Sequence, residues 1–234
     1  MLNVSMLNIQ TILVPQGAEH RAVCRGLGNV LHPPAVFPVP VGAIALTAHL
    51  EQLQQSGCFW QGQQVLIMGL CGGLSPTVGV GAGVLYDACT MAPPDGATAW
   101  LPCDHTLNAA IRCVLGEAIQ SVQAVTSDRV VARASEKADL AQQSGAIVVD
   151  MEGYAALQVL LGWGVAVATL RVVSDDCQHD IPNLAAAFDD RGALQPMALA
   201  IAMLKQPIAA LRLIRGSTES LKILQNLTSE LFEN

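Results

Sequence analysis

Apolar positions in this chain fall mostly in short continuous runs rather than in alternation. Thr11-Ile-Leu-Val14, Gln64-Val-Leu-Ile-Met68, Val84 to Thr90, Ser121 to Thr126, Ala146 to Val149 and Val165 to Val173 are such runs. A strand that is apolar at successive positions is buried on both faces, as in α/β proteins whose sheets carry helices on either side. Between the runs lie segments with helical character. These are Gly17 to Leu27, Val41 to Gln55 (stopped by Ser56-Gly57), part of Leu101 to Gln120, Ala134 to Gln143, and a helix starting in Asp150 to Ala156 and ending at Leu161. The alternation predicts an α/β domain over residues 1–234, a three-layer sandwich around a mixed, twisted central sheet. Residues 195–234 read as a helical C-terminal appendage, broken at Pro207 and Gly216.

Composition sharpens this picture. The 234 residues are 52% hydrophobic and only 13% charged, about half the usual share of charge in a soluble domain, roughly 25%. A spanning helix needs about 20 consecutive, mostly apolar residues. Between Arg25 and Asp87 the only formal charge is Glu51, yet Pro33, Pro34, Pro38, Pro40, Pro76, many glycines and Gln clusters interrupt every window. The opening MLNVSMLNIQ has no basic region and no long apolar run, so it does not read as a secretory leader. A buried core and a buried surface between copies of the chain are the remaining uses of so much apolar sequence. A net charge of -7 and 4% aromatics argue against a nucleic-acid partner. Seven cysteines with no C-x-x-C pair point to reduced thiols and a cytoplasmic setting. The histidines at 20, 32, 49, 105 and 179 show no metal-ligand spacing, so neither metal nor cofactor is expected.

Three segments carry chemistry. Gly69-Leu-Cys71-Gly72-Gly73 follows a strand, and glycines let backbone amides approach an anion or a polar sugar edge. It also has the G-x-C-x-G shape of a nucleophile elbow, with Cys71 as nucleophile and His179 with Asp175 or Asp176 as partners. An elbow needs a helix directly after it, which Pro76, Gly79, Gly81 and Gly83 disfavour. Asp150-Met151-Glu152 sits at a strand-to-helix junction, where Asp150 serves as a plain cap. Glu152 beside a flexible Met151 suits a sugar diol with a thioether under its ring. Arg171-Val-Val-Ser174-Asp175-Asp176 ends an apolar strand in polar groups, where α/β proteins place ligand contacts.

VDMEGYAA at 149–156 followed by LRVVSDD at 170–176 resembles the nucleoside phosphorylase/nucleosidase superfamily. GLCGGLSPTVGVGAGVLYDA resembles its strand-loop-strand, with Gly81-Ala82 where the family usually has Gly-Asp. VTSDRVV at 125–131 resembles its base-pocket segment, and the matches run in order over residues 9–182. Within the superfamily, Gly17-Ala-Glu19-His-Arg21 and the tail are most similar to hopanoid-associated phosphorylases. The methylthioadenosine/S-adenosylhomocysteine nucleosidases are the second choice.

The resemblance implies cleavage of the N-glycosidic bond of an adenine-type nucleoside by phosphate or water. It implies Asp175 as the acid that protonates the leaving base, oriented by Ser174 and assisted by repulsion from Asp176. Glu152 would hold the ribose hydroxyls and Met151 the sugar. Cys71, Gly72 and Gly73 would offer backbone amides. Glu19 would activate water, or Arg21 would hold a phosphate co-substrate. Val130 stands where the nucleosidases usually stack a Phe, which implies a wider base pocket. An adenosyl-hopanoid is the specific substrate it suggests, and a nucleoside-binding protein without catalysis is the reading of another class. It also implies assembly with further copies of the chain. Lys205, Arg212, Arg215 and Lys222, among Ile208, Leu211, Leu213 and Ile214, mark the tail either as a packing helix or as a contact with a membrane surface.

Overall fold

The computed structural model describes residues 7–92, 99–184 and 195–233. The reading of the N-terminus as leaderless therefore falls partly on residues 1–6, outside the described residues. The first strand, β1 (Thr11–Pro15), leads into α1 (Ala18–Gly26) and then β2 (Ala35–Val39). Next come α2 (Ala43–Gln55), β3 (Gln64–Gly73), β4 (Gly83–Met91) and the two-residue β5 (Leu101–Pro102). The order continues through α3 (His105–Leu115), β6 (Ile119–Thr126), α4 (Ala134–Ser144), β7 (Val148–Asp150), α5 (Gly153–Gly162) and β8 (Ala166–Asp175). Two helices, α6 (Pro196–Lys205) and α7 (Pro207–Phe232), finish the described chain.

Helices cover both faces of the sheet, and β3 shows how its residues divide. Val65 and Ile67 pack in one cluster with Leu46 and Leu50 of α2 and Leu157 and Leu160 of α5. Leu66 and Met68, pointing the other way, pack with Val23 of α1, Ile111 of α3 and Leu224 of α7. This is the period-two division of a strand buried on both sides.

The open three-layer sandwich expected from the sequence is not what forms. The sheet closes: β3 pairs β8, β8 pairs β4, β4 pairs β6, β6 pairs β7, and β7 returns to β3, making a five-stranded barrel. Closure is possible because two long strands divide their edges. The first half of β3 pairs β1 at Val65 to Ile67, whereas Gly72 and Gly73 turn to β7. β4 likewise pairs β8 at Gly83 to Leu85 and β5 at Ala88 and Cys89. The Gly69 to Gly73 stretch, read as a loop, is thus the coiled second half of β3. β1 and β2, beside β3, and β5, beside β4, extend the sheet outside the ring.

Gly216 does not break the C-terminal helix: α7 runs through it. The residue is needed for close approach, since a Cβ there would lie 2.3 Å from the Ser174 carbonyl oxygen. One turn later the Ser220 hydroxyl donates to the Val173 carbonyl at 2.6 Å, so α7 is seated on the end of β8. Gly216→Ala should therefore lose ~1–3 kcal/mol by overpacking, read as a lower midpoint in denaturant unfolding. Among the described residues, no helix is long and apolar enough to cross a membrane.

Candidate active site

A cavity of about 220 Å³ opens at one end of the barrel. Its wall includes Glu19, Cys71, Gly72, Val130, Met151, Glu152, Ser174 and Asp175. Eight residues singled out from the sequence thus converge from α1, β3, the loop after β6, the β7–α5 junction and β8. Arg21 and Gly73 are not on that wall. Arg21 is exposed on α1, one turn-fraction away from Glu19.

Arg171 organises the floor. It is 1% exposed on β8, and its Nη2 meets Glu152 Oε2 at 3.2 Å and Asp150 Oδ2 at 3.3 Å. Its Nη1 donates to the Leu70 carbonyl at 3.2 Å, while its Nε has no partner among the described residues. Burial alone would lower its pKa, but Asp150 and Glu152 carry it above the ordinary arginine value. Only a glycine permits this approach from β3. A Cβ at Gly69 would fall 2.6 Å from Arg171 Nη1 and 2.7 Å from Glu19 Oε1.

The carboxylates around Arg171 differ in how much capacity they keep. Asp150 is fully engaged: Thr126 Oγ1 donates at 2.6 Å, Tyr86 OH at 3.3 Å, and the Gly153 amide at 3.1 Å as α5 begins. It behaves as a cap and a brace for Arg171. Glu152 accepts from the Gly42 amide at 3.0 Å on the oxygen that Arg171 leaves free. Each of its oxygens keeps a further lone pair, and the residue lines the cavity. Burial raises the Glu152 pKa against the pull of Arg171. Glu19 accepts from the Leu70 amide at 2.6 Å. Part of its surface remains at the cavity wall, yet removal of the carboxylate from water pushes its pKa up to about 7, with Arg171 opposing.

Asp175 has a partner that the sequence concealed. Its Oδ2 is paired with Lys137 Nζ, and Ser174 Oγ donates to its Oδ1 at 2.7 Å. Lys137 is fully buried on α4, where it also donates to the Asp176 carbonyl. Asp176 is not the neighbour expected to crowd Asp175. Its side chain accepts from the His179 and Gln178 amides at 2.9 Å and faces His179 Nδ1. Partial burial works to raise its pKa, but these hydrogen bonds hold it below the ordinary value.

Cys71 is not placed as a nucleophile. It lies in strand rather than at a strand-to-helix elbow, and burial pushes its thiol far above the usual range. The sequence reading also missed Leu213, which α7 brings to the cavity wall, and Tyr86 and Thr126, which hold Asp150. Lys137 left no signal, since ASEKADLAQQ reads as an ordinary solvated helix.

The family model described as the Phosphorylase superfamily matches residues 23–205. Several solved structures share the fold. The 5'-methylthioadenosine/S-adenosylhomocysteine nucleosidase of Helicobacter pylori, bound to butyl-thio-DADMe-Immucillin-A, superposes with a TM-score of 0.66 at 17% identity, covering 94% of this chain and 97% of that one. The nucleosidase of the same name from Campylobacter jejuni gives 0.65 at 15% identity, covering 94% and 97%. The native futalosine hydrolase of Helicobacter pylori gives 0.63 at 16% identity, covering 91% and 98%. None of the curated proteins matches the sequence.

Proposed function

From the premise that this chain belongs to the phosphorylase superfamily, we propose that it is a nucleosidase, hydrolysing the N-glycosidic bond of an adenine-type nucleoside. The observation that carries the reading is the convergence of Glu19, Glu152 and Asp175 on one cavity, each with different partners.

In this reading Glu19 takes a proton from water as the water oxygen bonds to the anomeric carbon. The bond from that carbon to the purine nitrogen breaks, and Asp175 delivers a proton to the leaving base. That proton is made good from the Lys137 ammonium paired with Asp175, and the cycle closes when Glu19 sheds the proton it took and Lys137 regains one, both by exchange with solvent. Glu152 accepts from the ribose hydroxyls, a contact that strengthens as positive charge grows on the sugar. Met151 packs on the sugar, Val130 bounds the base without stacking on it, and Ser174 orients Asp175. Cys71 and Gly72 shape the wall through their backbone.

Water is preferred to phosphate because Arg21, the cation α1 would offer, lies outside the cavity, while the arginines on its wall are already engaged, Arg171 by Asp150 and Glu152 and Arg129 by Glu136. The methylthioadenosine/S-adenosylhomocysteine type of substrate is preferred to an adenosyl-hopanoid, in keeping with the names of the nucleosidases sharing this fold. Leu31 and Ile44, 90% and 87% exposed in the nearly uncharged stretch, support assembly with a second copy.

A panel of adenine nucleosides, with free base read by chromatography, tests the reaction. We expect equal release with and without phosphate, and free ribose derivative rather than sugar phosphate as product. Strict phosphate dependence would overturn hydrolysis. Because Glu19 must be ionised to act as base and its pKa stands near 7, the rate should rise as pH increases through about 7.

A further inference from the structure

The last helices carry an apolar surface that the described residues leave uncovered. No polar side chain occurs from Pro196 to Leu204, yet α6 contains no buried residue. Met197, Ile201 and Leu204 on α6 are exposed, as are Ile208, Leu211 and Ile214 on α7. These are six of the ten large apolar side chains exposed among the described residues, so the surface is a patch rather than scattered chance exposure. Leu213, between Leu211 and Ile214, turns inward to the cavity wall. The patch therefore lies on the outside of a helix whose inner side closes the candidate site.

Charge separates the occupants. Residues 195–218 contain Lys205, Arg212 and Arg215 and no acidic residue, in a chain of net charge -7. Lys205, Arg212 and Arg215 are exposed, and Arg212 reaches the Asp180 carbonyl only at 3.5 Å. Apposing two copies of this face would bring like charges together. A neutral apolar partner would leave the cations without function. An anionic bilayer surface satisfies both features: acyl chains accept the apolar side chains and headgroups accept the cations. Neither helix spans a membrane, so the contact is interfacial.

We propose that α6 and the first turns of α7 dock on an anionic membrane surface, with the cavity opening beside the contact. The inference stands on this patch and does not depend on the reaction assigned above.

Co-sedimentation with vesicles tests it. The full chain should pellet with phosphatidylglycerol-containing vesicles and bind pure phosphatidylcholine on the order of a hundredfold more weakly, since each of three cations near such a surface is worth roughly fivefold. Raised salt should weaken binding to the anionic vesicles. The double variant Leu204→Asp with Ile208→Asp should lose binding while keeping the wild-type unfolding transition. No pelleting by the wild type, or equal pelleting with both lipids at any salt, would overturn the proposal. So would a drop in molecular mass of the double variant by light scattering, which would assign the patch to a second copy.

Discussion

Replacing Asp175 by Asn should reduce purine release by roughly a hundredfold to ten-thousandfold, the span general acids contribute. Asn keeps the shape and accepts from Ser174, but it has no proton to give. The decisive contrast is a riboside with a nitrophenolate leaving group, which departs without being protonated. Asp175→Asn should spare that substrate, whereas a merely misfolded variant would lose both. Lys137→Met should give the same split in milder form, because Lys137 touches Asp175 rather than substrate. Equal losses on both substrates would remove Asp175 and Lys137 from proton delivery. If wild type releases no base from any nucleoside yet binds them, the fold serves binding alone.

The second large effect is on stability. Arg171→Met should cost about 3–5 kcal/mol, because it strands Asp150 and Glu152 without their shared cation in the protein interior. At ~2–4 °C per kcal/mol for a chain of this size, differential scanning calorimetry should show the loss plainly. The pH dependence has a definite sign. Glu152 already binds its proton more tightly folded than unfolded, and without Arg171 it would do so more strongly still. A group with a raised folded pKa favours the folded state at low pH and loses that contribution as pH rises through the folded value. The variant should therefore fall further behind wild type at pH 8 than at pH 5. A constant deficit across that range would mean that lost packing, not stranded charge, is the cause.

The sequence exposed some of this architecture and hid the rest for physical reasons. The runs around Ile12, Ile67 and Ala168 showed that the strands are buried on both faces. Burial is a property of each strand, whereas closure is a property of pairing, and nothing in Gln64 to Gly73 states that its two halves take different partners. β2 does not stand out along the chain because Pro38 interrupts AVFPV. A proline is tolerated in an edge strand, which β2 is. Glu152, Met151, Ser174 and Asp175 were legible because their motifs survive in order along the chain. Lys137 was not, because a lysine on a polar helix looks the same whether its ammonium meets water or a carboxylate. Gly216 misled for a related reason: glycine marks a break by propensity, but here it marks where a helix touches a strand.

The ring of strands has a consequence for how so weakly charged a chain meets its own copies. Among the described residues, closure leaves the sheet with two free borders, β2 and β5. Each carries a proline, Pro38 and Pro102, whose missing amide deprives an incoming foreign strand of a donor. The native state is thereby guarded against edge-to-edge aggregation. The nascent state is not: before β7 and β8 bridge the gap, the apolar borders of β3 and β4 stand open with little charge to repel a neighbour. The hazard in producing this protein lies in the interval before the ring shuts.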